Sequence, residues 1–166
     1  MRTRFTVPSN VELVIGHSRE MIPQALASFE KLRIPLQYVL IDAEHSTEGI
    51  KRDIGTVLQY QPRTSMVMLI HDSGNPACRA GILSADWNAS PYVHSVQCDF
   101  VPGQIIEHSV RDGRGEVWGG LALAYFSPQP RKGSVVVSQG SATMIRAAHV
   151  AAQDLSILSK TGRAAG

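Results

Sequence analysis

The chain has little of what would fix a function by composition alone. Its two cysteines, Cys78 and Cys98, have no metal-ligand spacing and are too few for a disulfide framework, which points to reduced thiols in a cytoplasmic protein. The opening residues contain no apolar signal-peptide core, and a run such as Met66 to Ile70 is far too short for a bilayer, so neither secretion nor membrane insertion is expected. Sixteen basic against fourteen acidic residues leave a net charge of +2 with no dense Lys/Arg cluster, which argues against nucleic acid as a partner. There is no internal repeat. A glycine-rich strand-to-helix turn is also missing: Gly113 and Gly115 form the only G-x-G, Trp118 stands where a third glycine would be, and no strand precedes them.

What is present fits one globular domain. With 166 residues, 43% hydrophobic and 18% charged, the chain is long and apolar enough to bury a core and shows no sign of disorder. The most informative stretch runs from Tyr38 to Asp72. Two short apolar runs, Y-V-L-I and M-V-M-L-I, each end in acid and imidazole: Asp42, Glu44 and His45 after the first, His71 and Asp72 after the second. Continuous apolar runs are the mark of buried parallel strands, and ligands bind beyond the carboxyl ends of such strands. Between them Ile50, Ile54, Val57 and Leu58 fall on one helical stripe with Ser46 as N-cap, so the stretch reads as strand, crossover helix and strand.

Earlier in the chain, Val11 to Ile15 reads as a short strand ending in Gly16-His17-Ser18. It is followed by a helix carrying Met21, Ile22, Ala25, Leu26, Phe29 and Leu32 on one stripe, with Pro23 tolerable only near the first turn. Beyond Asp72 come a short helix from Ala77 to Leu83, a strand from Tyr92 to Val96, a polar excursion from Asp99 to Gly115, and a strand from Glu116 to Phe126 with Gly119 and Gly120 at a bulge or close approach. From Pro128 the character changes. A Val135 to Val137 run precedes a helical pattern with Met144, Ile145, Ala148, Ala152, Leu155 and Leu158. Glu44 and Asp53 read as solvated and Glu48 as the partner of Arg52 one turn on.

I-D-A-E-H-S, E-G-I-K-R-D-I and L-I-H-D-S resemble the segment from the fourth to the fifth strand of class I S-adenosylmethionine-dependent methyltransferases. The branch that they most resemble is methyltransferase family 24, and W-G-G-L-A-L resembles that fold's last, antiparallel strand. The resemblance spans roughly residues 11 to 126 and covers only the second half of such a domain. It implies an α/β fold with an incomplete Rossmann-like methyltransferase sheet, mostly parallel, with an antiparallel last strand and helices on both faces. Residues 1–127 would form the partial domain and 128–166 a C-terminal extension with a helix.

The resemblance further implies transfer of a methyl group from S-adenosylmethionine to a hydroxyl of a small polar acceptor. Gly16, His17, Ser18 and Asp42 would contact the cofactor, although His17 departs from the acidic residue at that turn. Asp42 and Asp72 would hold Mg2+, a metal suited to hard oxygen ligands, and Asp42 or His45 would take the hydroxyl proton. For each residue a plainer role exists: Asp42 and Asp72 as turn formers, His45 as a loop imidazole bonded to the backbone. Two other functions remain open. A truncated, non-catalytic methyltransferase-like module would use its open sheet edge for binding or self-association. A hydrolase built on Ser18, His45 and Asp72 lacks the G-x-S-x-G turn that such a nucleophile needs. The missing glycine-rich turn and ribose-binding acid predict weak cofactor binding by this chain.

Overall fold

The computed structural model describes residues 9–106 and 116–140, and the side chains outside 104–118 within them. The expected helix carrying Met144 to Leu158 and most of the 99–115 excursion lie outside the described residues. Helix α1 (Ser18–Leu32) is followed by strand β1 (Tyr38–Ile41), helix α2 (Thr47–Val57), strand β2 (Met66–His71), helix α3 (Pro76–Ser84) and strand β3 (Val93–Val101). Strands β4 (Gln104–Ile106), β5 (Glu116–Trp118), β6 (Leu121–Phe126) and β7 (Val136–Ser138) complete the order.

Five strands form one mixed sheet in the order β1-β2-β6-β3-β7, and β4 pairs with β5 in a separate two-stranded ribbon. β1 and β2 are parallel, as the strand, crossover helix and strand reading requires, and β6 runs antiparallel to both β2 and β3. β7 adds to β3 in parallel, so the sheet continues past residue 127.

Local chemistry sets the helix boundaries. The Ser46 hydroxyl accepts from Gly49 N at 3.0 Å and starts α2, while the Asn75 side chain accepts from Ala77 N at 2.9 Å and Pro76 occupies the first turn of α3. α1 ends at Arg33 in the left-handed region, before Ile34-Pro35. Pro23 lies in the second turn of α1 rather than the first, so the helix lacks one backbone hydrogen bond there.

The core follows from sheet register. Cross-strand rows Met66 with Phe126, Met68 with Ala124 and Ile70 with Ala122 are fully buried on one face, and Val93, Val96 and Cys98 of β3 continue it. Ile50, Ile54 and Val57 of α2, Cys78 and Ile82 of α3, and the partly buried Ile22 and Leu26 of α1 join this same cluster. Helices on both faces were expected. The described helices instead all contribute to this one cluster, and on the opposite face Tyr38 and Leu40 stay 54% and 50% exposed. α2 and α3 approach closely at Gly81, where a Cβ would lie 2.7 Å from the Thr47 carbonyl oxygen and 2.9 Å from Ile50 Cβ.

Four expectations are corrected. Residues 11–15 form no strand; Leu13 and Ile15 are largely exposed, because a strand without a neighbour leaves its ladder groups unpaired. The strand expected from Glu116 to Phe126 is two strands, broken where Gly119 and Gly120 take φ of 71° and 82°. Asp53 is buried, not solvated: its Oδ1 accepts from Ser18 Oγ at 3.0 Å, and Arg52 pairs with Glu44 instead of Glu48.

Candidate metal and proton-transfer site

The register of the parallel pair builds the site. Ile41 is opposite Ile70, so the next residues, Asp42 and His71, leave the sheet side by side at its carboxyl edge, with His71 Nδ1 3.4 Å from Asp42 Oδ1. His45 sits one residue before the Ser46 cap of α2, which returns it to the same edge. Its Nε2 is 2.9 Å from Asp72 Oδ2 and 3.8 Å from Asp42 Oδ1. Asp42, His45, His71 and Asp72 each offer one ligand atom, and these atoms lie within 4.8 Å of one another. Asp42 and Asp72, expected to share an ion, and His45, expected to take a proton, thus stand on one edge of the sheet.

Asp72 is the anchored member. Its backbone adopts φ 56°, a conformation that Asp tolerates better than most residues, and its side chain is only 6% exposed. Asp72 Oδ1 accepts from Gly119 N at 2.7 Å, Asn75 N donates to the Asp72 carbonyl at 2.9 Å, and Gly74 N donates to the Gly119 carbonyl at 3.0 Å. At Gly120 a Cβ would lie 2.9 Å from both Gly103 N and Ser73 Oγ. The β4–β5 ribbon is therefore rooted beside Asp72, and glycine is required where the two backbones meet. Asp42, at 51% exposure, is the open carboxylate.

The neighbouring acids and thiols are engaged elsewhere. The Ser46 hydroxyl, and then the Arg52 guanidinium, hold the Glu44 carboxyl below its ordinary range and keep it out of the cluster. Burial pushes the Cys78 thiol up, and the charges of Asp72 and Asp42 add to the effect; burial does the same to Cys98. Neither thiol is set up as a nucleophile at neutral pH.

The expected cofactor turn is placed differently. The space of a Cβ at Gly16 is filled by Met21 Cγ at 2.6 Å, His17 is the N-cap residue of α1 without a side-chain cap, and Ser18 Oγ is committed to Asp53. Of these three, Ser18 ties the start of α1 to α2, while Gly16 lies against Met21 of α1 and His17 stays exposed. For the hydrolase triad, the Ser18 hydroxyl donates to Asp53 rather than to His45, the base such a nucleophile needs.

Sequence reasoning placed no role on Gly119 N or on the Arg79–Asp99 pair. Arg79 bonds both Asp99 oxygens at 2.7 and 2.8 Å, and Asp99 Oδ2 also accepts from Gly140 N at 2.6 Å, tying α3, β3 and the end of β7 together. Arg131 likewise clips the chain after β6 to the Ser90 and Val93 carbonyls and to Asn88 Oδ1. No helix among the described residues is long and apolar enough to cross a membrane. Comparison with models of protein families, with curated proteins and with solved structures finds no match.

Proposed function

We propose that this chain carries the acceptor side of a methyltransferase: it binds a divalent ion and a hydroxyl of a small polar molecule at the carboxyl edge of its sheet and removes the hydroxyl proton. The observation that carries this reading is the convergence of Asp42, His45, His71 and Asp72 at the ends of two parallel strands. The insertion of antiparallel β6 between β2 and β3 supports the finer reading of an incomplete Rossmann-like methyltransferase sheet, in which β6 takes the place of the fold's antiparallel last strand and β7 is an addition.

S-adenosylmethionine would supply a methyl group on a sulfonium centre. Of the residues expected to hold it, Gly16 lies against Met21 and Ser18 is bonded to Asp53, so that turn does not fit the task and the chemistry assigned to this chain is the acceptor's. Asp42 and Asp72 would hold a cation that orients the hydroxyl and lowers its pKa. His45 lies 2.9 Å from Asp72, which fixes the ring, and with the open Asp42 it stands where the proton would be taken.

The same misfit favours the second reading, a non-catalytic module, and so do Tyr38 and Leu40 on the half-open sheet face. Isothermal titration with S-adenosylmethionine, followed by a radiolabelled methyl-transfer assay on polyhydroxylated acceptors, separates the two. Loss of two charge-assisted ribose contacts, at about 1.5 to 3 kcal/mol each, predicts affinity weaker by roughly two to four orders of magnitude than a complete site provides. Micromolar binding with turnover supports the enzyme. No binding together with a stable dimer supports the module.

A further inference from the structure

We infer that the ion held at this edge is a first-row transition dication rather than magnesium, and that His71 Nδ1 is its third protein ligand beside Asp42 Oδ1 and Asp72 Oδ2. The inference deepens the proposed function and rests on it only for the ion's use, not for its binding.

The environment of His71 Nδ1 carries the argument. The ring is 41% exposed as a whole, yet this nitrogen is buried and makes no hydrogen bond. Two carboxylate oxygens stand close to it, Asp72 Oδ2 at 3.2 Å and Asp42 Oδ1 at 3.4 Å, but neither is aligned to accept or donate. A buried polar atom normally finds a partner, so an unaligned nitrogen between two carboxylates requires an explanation. Ligand atoms around a common ion have this arrangement, each aimed at the centre and none at its neighbour. With bonds of about 2.1 Å, adjacent ligands lie about 3.0 Å apart in an octahedron and about 3.4 Å apart in a tetrahedron. The two separations from His71 Nδ1, 3.2 and 3.4 Å, lie within this range, and all the candidate ligand atoms fall within 4.8 Å of one another.

Ligand type then selects the metal. Magnesium prefers oxygen ligands and water, whereas an imidazole nitrogen suits zinc, iron, nickel or copper, and mixed nitrogen and oxygen sets serve manganese, iron, cobalt and zinc. A set of one imidazole and two carboxylates is a poor magnesium site. His45 Nε2, 2.9 Å from Asp72 Oδ2, holds that ligand from behind, as groups outside the coordination shell commonly do, and remains beside the open positions.

The experiment is a titration of the full chain with Co2+, which reports its ligands through its visible absorption, and separately with Mg2+. The wild type is expected to bind Co2+ at least tenfold more tightly than Mg2+. Because most sites containing nitrogen prefer Co2+ to some degree, the decisive quantity is the change in that ratio on substitution. His71→Asp, which replaces the nitrogen by oxygen, is expected to reduce the Co2+/Mg2+ ratio at least tenfold. His71→Ala is expected to weaken Co2+ by tenfold or more, and His94→Ala, at a distant imidazole, to change nothing. A ratio unaffected by either substitution at His71, or equal affinity for the two ions in the wild type, overturns the inference. Circular dichroism of each variant confirms that it is folded. If Co2+ binds as expected but no methyl transfer to any polyhydroxylated acceptor is detected, the proposed function falls while this inference stands; methyl transfer without the expected Co2+ preference removes only the inference.

Discussion

Asp72 unites backbone strain, a structural hydrogen bond and a proposed ligand position, and three substitutions separate them. In the wild type its Oδ1 accepts from Gly119 N at 2.7 Å, a bond to a charged acceptor worth about 1.5 to 3 kcal/mol, while its φ of 56° is costly for residues with an ordinary side chain. Asp72→Asn keeps an acceptor for Gly119 N and tolerates the left-handed backbone, so its stability should stay within about 1 kcal/mol of wild type. Asp72→Ala loses the acceptor and remains strained, and a cost of about 2 to 4 kcal/mol follows. Asp72→Gly loses the acceptor but relieves the strain, so it should lie about 1 kcal/mol above Asp72→Ala. Urea unfolding followed by circular dichroism measures the series. Cation titration then shows whether Asp72→Asn, although folded, loses at least tenfold in affinity. Alanine as stable as glycine would refute the backbone argument, and wild-type cation affinity in Asp72→Asn would refute the ligand assignment.

Two further predictions concern the frame that holds the site. Gly81→Ala places a Cβ 2.7 Å from the Thr47 carbonyl oxygen, so α2 and α3 must separate; a loss of about 1 to 3 kcal/mol is expected in the same unfolding assay, and a neutral effect would mean that the interface yields freely. At Asp99, the Arg79 guanidinium, with help from Gly140 N, holds the carboxyl below its ordinary range. A carboxyl with a lowered folded pKa stabilises the fold above its unfolded value, about 3.9, and that contribution is lost as pH falls through the folded pKa. Asp99→Asn should therefore be less stable than wild type near neutrality and converge with it in acid; a gap that does not change with pH would count against the pair's role.

Much of this architecture is legible in the sequence because it is written in local patterns. Y-V-L-I and M-V-M-L-I form strands, each with one face in the core, Ser46 and Asn75 cap the helices that follow, and the parallel reading of the two strands places Asp42 and Asp72 at one edge. Where the reading fails, the deciding fact is a contact between distant residues. Val11 to Ile15 has strand composition but no neighbour to pair with, and composition cannot reveal an absent partner. Asp53 looks solvated on its helix, and only the arrival of Ser18, thirty-five residues earlier, makes it a buried acceptor. Glu44 outcompetes Glu48 for Arg52 because the chain turns before Ser46, which the spacing expected within a helix does not anticipate.

His71 shows why the site itself was only half legible. In the sequence it is the last residue of an apolar run, with nothing to separate it from a strand-end imidazole facing solvent. Its place depends on register: had β1 and β2 paired one residue out of step, Asp42 would point to the other face and the cluster would not form. The direction of β6 matters in the same way. An antiparallel strand begins at the edge where its neighbour ends, so the Gly119–Gly120 link that leads into β6 necessarily passes the end of β2, and Gly119 N is delivered to Asp72 Oδ1. A parallel strand in that position would enter at the opposite edge and leave Asp72 without its donor. The two parallel strands thus bring the proposed ligand atoms together, and antiparallel β6 fixes Asp72 in place.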